Sequence, residues 1–303
     1  MATIAFVEKS QGEYWDRLNA GIYHIAHQRG DKVQIYAPAR VDPSSQLQFI
    51  HEALSNGADA LVIVASDSEM FAEAIDHAFD MGVPVLTMDL DGYTNRRLFH
   101  FGTLPYTQLG CIAAEEMLPR LKGEGPVIVQ AGSDAPGSRG KLQGFCDRME
   151  KAGRQMVLIE PDYENPSIAL TRVQAALKAN PDAAGLYGVY AYHCIVHARA
   201  IEQSGRKPGS IPIVGFDMLD ETVSRLKDGS IAASIWIAEY HIGASAAMAA
   251  GLFASHPWEE VVEFLGGSME DRQTNIRRLP IHCFTKDNIL NYERWLADHR
   301  EIR

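Results

Sequence analysis

Short apolar runs rich in valine and isoleucine alternate along this chain with longer segments whose apolar positions recur every three or four residues. Thr3 to Val7 reads as a strand, and a polar loop follows over Glu8-Lys9-Ser10-Gln11-Gly12-Glu13. From Tyr14 to about Arg29, Leu18, Ile22 and Ile25 share one helical face and Gly30 supplies the stop. Val33 to Tyr36 is the next strand, and a helix opened by Pro43-Ser44-Ser45-Gln46 runs through Ser55 to Asn56-Gly57. Ala60 to Val64 follows as a strand, then a helix capped at Ser66-Asp67-Ser68 and closed at Met81-Gly82, then the strand Val83 to Met88. After residues 99–103 the alternation restarts. Helices are expected over 106–122, 141–152, 166–179, 192–204, 217–227, 239–253 and 286–298. The strands between them are 127–130, 156–160, 184–188, 211–216, 231–237 and 280–284, and a glycine-rich loop spans 132–140. Strand and helix alternating through short loops call for parallel sheets with helices on both faces.

Two of the strands end alike. Val83-Pro84-Val85-Leu86-Thr87-Met88 stops at Asp89-Leu90-Asp91 with Gly92 behind it, and 128 residues later Ile211-Pro212-Ile213-Val214-Gly215-Phe216 stops at Asp217. A buried strand that turns abruptly acidic at its carboxyl end marks the place where open α/β sheets bind ligands.

At 303 residues the chain suits two domains, and 46% hydrophobic with 22% charged content is that of a globular protein. A net charge of −11 without any basic block argues against nucleic acid as the partner. No apolar run reaches the roughly 20 residues of a membrane span. The N-terminus enters a strand directly, without a basic segment followed by an apolar one. Cys111, Cys146, Cys194 and Cys283 lie far apart, which fits either free thiols or a long-range bridge. His193 and His197 stand four apart on a helix, but no third ligand is evident, so no metal or cofactor is expected. The 132–140 loop is neither Gly-x-Gly-x-x-Gly nor a Walker pattern, which leaves a phosphate- or nucleotide-using enzyme as a minor alternative.

Six markers, in this order and spacing, resemble the type I periplasmic binding proteins, the sugar-binding partners of ABC transporters. They are Thr3-Ile4-Ala5-Phe6-Val7 before an aromatic pair, Val83-Pro84-Val85 ending in Asp89, Arg139 through Gly144-Phe145, Ile213 to Asp217, Lys227-Asp228-Gly229, and Phe284-Thr285-Lys286-Asp287-Asn288-Ile289. Lys9, Gln108-Leu109-Gly110 and the tail look most like the branch that holds the rhamnose- and autoinducer-2-binding proteins. The resemblance implies two Rossmann-like lobes joined by three hinge crossovers, with ligand taken between them by closure. The N-terminal lobe would hold residues 1–104 and 238–270, the C-terminal lobe 105–237 and 271–303. It further implies a monomeric, non-catalytic protein of the periplasm that needs no cofactor, binds a small sugar or polyol, and delivers it to an ABC permease without entering the membrane.

By the same resemblance, Asp89 and Asp217 accept hydrogen bonds from ligand hydroxyls, Tyr14 and Trp15 stack on a sugar face, and Lys9 contacts ligand. Arg139, or Lys141 in a shifted register, presents a cation to adjacent hydroxyls. Each has a plainer reading as a cap, a packing aromatic or a surface charge. Tyr190-Ala191 replaces the Asn-Asp common in sugar-binding relatives, and Ile237 with Trp236 replaces a hinge glutamine. Tyr190 and Trp236 therefore suggest a more aromatic pocket for a smaller or less oxygenated ligand. The rival role is sensing, as in LacI-like regulators or receptors. Such a repressor would carry a helix-turn-helix ahead of Thr3.

Overall fold

The computed structural model describes residues 1–91 and 96–298; Gly92 and residues 299–303 of the expected C-terminal lobe lie outside them. In chain order the elements are β1 (Thr3–Val7), α1 (Glu13–Arg29), β2 (Lys32–Tyr36), α2 (Pro43–Ser55), β3 (Ala60–Ile63), α3 (Ser68–Asp80), β4 (Val85–Met88) and β5 (Phe99–Gly102). There follow α4 (Tyr106–Met117), β6 (Val127–Gln130), α5 (Pro136–Lys151), β7 (Met156–Ile159), α6 (Pro166–Ala179), β8 (Gly185–Gly188), α7 (Ala191–Gln203), β9 (Ile213–Phe216) and α8 (Asp220–Asp228). The remainder is β10 (Ala233–Trp236), α9 (Glu239–Phe253), α10 (Trp258–Phe264), β11 (Ile276–Arg278), β12 (His282–Phe284) and α11 (Ile289–Asp298).

The chain forms two compact units, Met1–Thr103 with Ala238–Pro280, and Leu104–Ile237 with the segment from Ile281. Residues 271–280, expected with the C-terminal lobe, belong to the first unit because Ile276, Arg277 and Arg278 pair in parallel with His100, Phe101 and Gly102. Leu104, expected in the N-terminal lobe, groups with the second unit.

The first unit holds a parallel sheet in the order β11-β5-β4-β3-β1-β2. Alternate residues of β1 feed opposite faces, as the two-residue repeat of a strand requires. Ile4 and Phe6 pack with Trp15, Leu18, Ile22, Ile242 and Ala246 of α1 and α9, while Ala5 and Val7 pack with Ile50, Leu54, Phe71 and Ile75 of α2 and α3. Each such fully buried Ile or Phe contributes about 1.5–3 kcal/mol by leaving water. The second unit repeats the plan as β12-β10-β9-β8-β6-β7, all parallel except β12, which runs antiparallel to β10. Its buried centre includes Phe145 stacked on Tyr187 at 3.7 Å, with Phe216 edge-on beside it.

Glycines set the closest helix contacts. A methyl group added at Gly21 of α1 would come within 2.1 Å of the Tyr240 carbonyl oxygen of α9, and one at Gly243 within 2.1 Å of that of Leu18. In the second unit, Gly110 of α4 meets the Lys141 carbonyl at 2.1 Å and Gly144 of α5 meets that of Thr107 at 1.8 Å by the same construction. Within the glycine-rich stretch, a methyl group at Gly132 would lie 2.1 Å from the Tyr190 ring and one at Gly140 2.6 Å from Tyr106 Cβ. The helix starts at Pro136, not at Lys141, because proline suits a first helical position. The helix expected over 106–122 ends at Met117 and tightens into a 3₁₀ turn over Leu118–Arg120, where Pro119 interrupts the bonding ladder.

Candidate functional site

In each sheet the strand order reverses beside the first strand of the unit: β1 lies between β3 and β2, and β6 between β8 and β7. Crevices at the carboxyl ends of such strands are where open α/β sheets take ligands. The two aspartates picked out in the sequence close equivalent strands and share one backbone construction. Asp89, after β4, has φ 59° and donates its N–H to the Phe101 carbonyl at 2.9 Å; Asp217, after β9, has φ 69° and donates to that of Ile235 at 2.9 Å. A left-handed residue at a strand's last rung turns the chain away sharply, and aspartate tolerates that conformation better than most side chains.

In the first unit, Tyr14 donates its hydroxyl to Asp89 Oδ1 at 2.9 Å, fixing both side chains. Trp15 stands edge-on to Tyr14, is only 5% exposed within the core beside β1, and donates its indole N–H to Ser10 Oγ. Lys9 is half-buried just past β1. Asp91, the second carboxylate of the acidic strand end, is structural: buried Arg97 binds both its oxygens at 2.5 and 2.7 Å, and Thr87 donates to it as well. Burial beside this cluster pushes His100 down to about 4, so it is neutral.

One residue that the sequence reading passed over as loop stands out. Glu8, the first residue after β1, is 1% exposed. Desolvation pushes its carboxyl up to about 8, with nearby Asp16 and Asp89 adding to the rise and a long 3.5 Å bond from Asn19 opposing it. The signal was available, because Glu8 follows a largely apolar, buried strand just as Asp89 and Asp217 do.

In the second unit, starting α5 at Pro136 separates the two cations expected at the ligand. Arg139 is a surface residue, with its side chain 56% exposed and paired to Asp134 at 3.2 Å, so it does not offer the expected fork at the strand ends. Lys141, two residues and about 200° further round the helix, reaches inward, with Nζ 4.0 Å over the Phe216 ring and 3.3 Å from the Val189 carbonyl, between the ends of β8 and β9. Tyr190 is half-buried after β8, bonded through its hydroxyl to Ser133 Oγ at 2.8 Å and through its N–H to His193 Nδ1 at 3.1 Å. Trp236, expected at the ligand, packs instead with His282, Phe284, Tyr292 and Trp295, where it anchors the tail segment. Of the two residues expected to make the pocket aromatic, Trp236 is thus taken up by the tail cluster.

Behind Tyr190 lies a buried network that was also missed. His193 Nε2 donates to Asp162 at 2.8 Å and Tyr192 donates its hydroxyl to the same carboxylate at 2.5 Å. Both His193 nitrogens are engaged and burial holds the ring neutral, so it has no free nitrogen with which to activate a nucleophile. His197 donates to Gln130 Oε1, and burial lowers its pKa well below the usual range. Among the described residues no cluster of three metal-ligating side chains forms, and no helix is long and apolar enough to cross a membrane.

A family model described as "Periplasmic binding protein domain" matches residues 4–255, which takes in both strand-end aspartates. The chain belongs to this family. Among curated members it is 25% identical to the D-ribose/D-allose-binding protein of Pseudomonas aeruginosa over 248 residues, 76% of this chain and 75% of that protein. It is 26% identical to the ribose import binding protein RbsB of Bacillus subtilis, over 72% of this chain and 70% of that one. Among solved structures, the glucose-galactose binding protein GanP of Geobacillus stearothermophilus shares the fold with a TM-score of 0.80 at 24% identity, over 95% of this chain and 98% of that chain. Family membership accounts for the two similar α/β units.

Proposed function

We propose that this chain is the solute-binding component of a sugar importer. It captures a small sugar, polyol or related carbohydrate by closure of its two units and presents it to an ABC permease outside the cytoplasm, with no catalysis. The observation that carries this reading is the pair of left-handed aspartates at equivalent strand ends. Carboxylates fixed at the rim of a buried sheet suit ligands made of hydroxyl donors, where each charged hydrogen bond is worth about 1.5–3 kcal/mol. The ribose- and allose-binding relatives support the same ligand class. Asp89, Asp217, Tyr14, Lys9, Lys141 and Tyr190 are the contacts we assign. The finer likeness to the rhamnose- and autoinducer-2-binding branch rests on Lys9, Gln108–Gly110 and the tail and does not narrow the ligand further.

Thermal-shift screening against pentoses, hexoses, deoxysugars and polyols tests this directly, because a ligand that binds only the folded state raises Tm. A rise for one neutral sugar that Asp89→Asn or Asp217→Asn abolishes is the expected result. Asparagine is chosen because it keeps the left-handed backbone. No rise across the panel, with a response to nucleotides instead, would overturn the reading.

A further inference from the structure

Two polar atoms beside the Asp89 end of the first sheet lack partners among the described residues. Glu8 Oε1 and Asn19 Oδ1 are both buried without a hydrogen bond, although Asn19 Nδ2 reaches Glu8 Oε2 at 3.5 Å. Buried polar atoms are nearly always satisfied, and an unmet one costs about 1–3 kcal/mol. The position of these two, one at the carboxyl end of β1 and one on α1, coincides with the crevice at the reversal of strand order. We propose that Glu8 and Asn19 form a specificity-determining pair that receives a single hydroxyl group of an uncharged carbohydrate, and so selects against cationic and anionic ligands. This inference rests on the carbohydrate reading above.

The chemistry follows from which atom can do what. Oε2 is occupied as the acceptor from Asn19, so a proton on the carboxyl resides on Oε1 and makes that atom a donor. Asn19 Oδ1 can only accept. One donor beside one acceptor complements a hydroxyl, which accepts and donates at once. An ammonium has no lone pair for Oε1–H, and a ligand carboxylate has no proton for Oδ1. Charged groups acting on Glu8 include Asp16 of α1 and Asp89 beyond β4, both negative, and both oppose its ionisation as burial does. Glu8 therefore remains a neutral acid through neutral pH and loses its donor proton as the pH passes about 8. A neutral sugar should accordingly bind more weakly in alkali.

Isothermal titration at neutral and alkaline pH with D-ribose, D-allose, D-galactose and L-arabinose, and with D-glucosamine and D-galacturonate as charged counterparts, tests the proposal. For the neutral sugar that binds wild-type protein, affinity should fall about tenfold or more between pH 7 and about pH 9.5. Glu8→Gln retains a donor and an acceptor without titrating, so it should bind nearly as well at pH 7 and show no fall. Glu8→Ala should lose about tenfold at pH 7, with ligand-free melting confirming that each variant is folded. Sugar binding that is indifferent to Glu8→Ala, or that weakens in alkali equally in Glu8→Gln, would overturn the role of Glu8 and leave the carbohydrate reading intact. Binding of D-glucosamine at about pH 6.5, where its amine is protonated, as tight as that of the neutral sugar and lost in Glu8→Gln, would make Glu8 a countercharge instead and overturn it too. Failure of every neutral sugar to bind wild-type protein would overturn both readings.

Discussion

The sixth strand is secured by opposite chemistry in the two units. In the first, β11 lies parallel to β5, and the segment leading into it is gripped by Arg97, which is 3% exposed and donates to the carbonyls of Arg272, Gln273 and Asn275 while binding Asp91. Asn275 adds bonds to the Leu98 and Ser268 carbonyls. In the second, β12 runs antiparallel to β10 and is secured by rings: Trp236, His282, Phe284, Tyr292 and Trp295 pack face and edge, with α11 closing the group. A returning segment can thus be fixed to one sheet plan by a polar clamp or by an apolar cluster. The clamp is directional and fails when one partner is lost, whereas the cluster is graded and fails with lost volume.

The substitution expected to cost most is Trp236→Ala, at about 4 kcal/mol from the cavity it leaves. Hydrogen exchange should speed up in β10 and β12, and unchanged protection there would show that the ring cluster does not hold the strand. Next is Arg97→Ala, at about 3 kcal/mol, since Asp91 loses its partner and three carbonyls lose a donor. Exchange in β5 and β11 should then accelerate while β10 and β12 remain protected. The helix pairs offer a sharper test of equivalence. Gly144→Ala and Gly243→Ala should each cost about 2 kcal/mol by forcing α4 from α5, or α1 from α9. Urea unfolding that shows one variant near wild type would break the parallel between the two pairs.

The pH dependence, a matter of sign in each unit, comes last. Glu8 has a folded pKa raised from 4.5 to about 8, so its contribution is full below 4.5 and is lost as pH rises through 8, weakening the first unit in alkali. His193 and His197 have folded pKa values below 6.5, so their contributions are full above 6.5 and are lost as pH falls, weakening the second unit in acid. His100 adds an acid-sensitive share to the first unit down to about 4. Exchange measured on ligand-free protein at mildly acidic and mildly alkaline pH should therefore show the more labile unit change places.

What could be read from the sequence was governed by periodicity and by abrupt changes in polarity. The β/α alternation and the acid at the end of β4 and of β9 lie in plain view, because a buried strand must be apolar until it meets the site. Contacts set by long-range packing were hidden. Arg97 lies 178 residues from Asn275, and nothing local announces that it closes the first sheet. Trp236 looked like a ligand platform because it stands beside Ile237, where the resembled family has a hinge glutamine, while its partners lie in the tail beyond 281. Arg139 and Lys141 were confused because a two-residue shift means little in a loop and more than half a turn in a helix. Glu8 was missed by treating the first charged residue after β1 as the start of a solvated loop.

The positive φ of Asp89 and Asp217 also bears on redesign of ligand preference. Exchanging either for serine, glutamate or a larger side chain would change the contact and simultaneously load the backbone with about 1–2 kcal/mol of left-handed strain, so the alphabet tolerated there is short: aspartate, asparagine and glycine. A library meant to retarget this protein would do better to hold those two positions fixed and randomise Glu8, Asn19, Lys141 and Tyr190, whose φ angles are negative and tolerate most side chains.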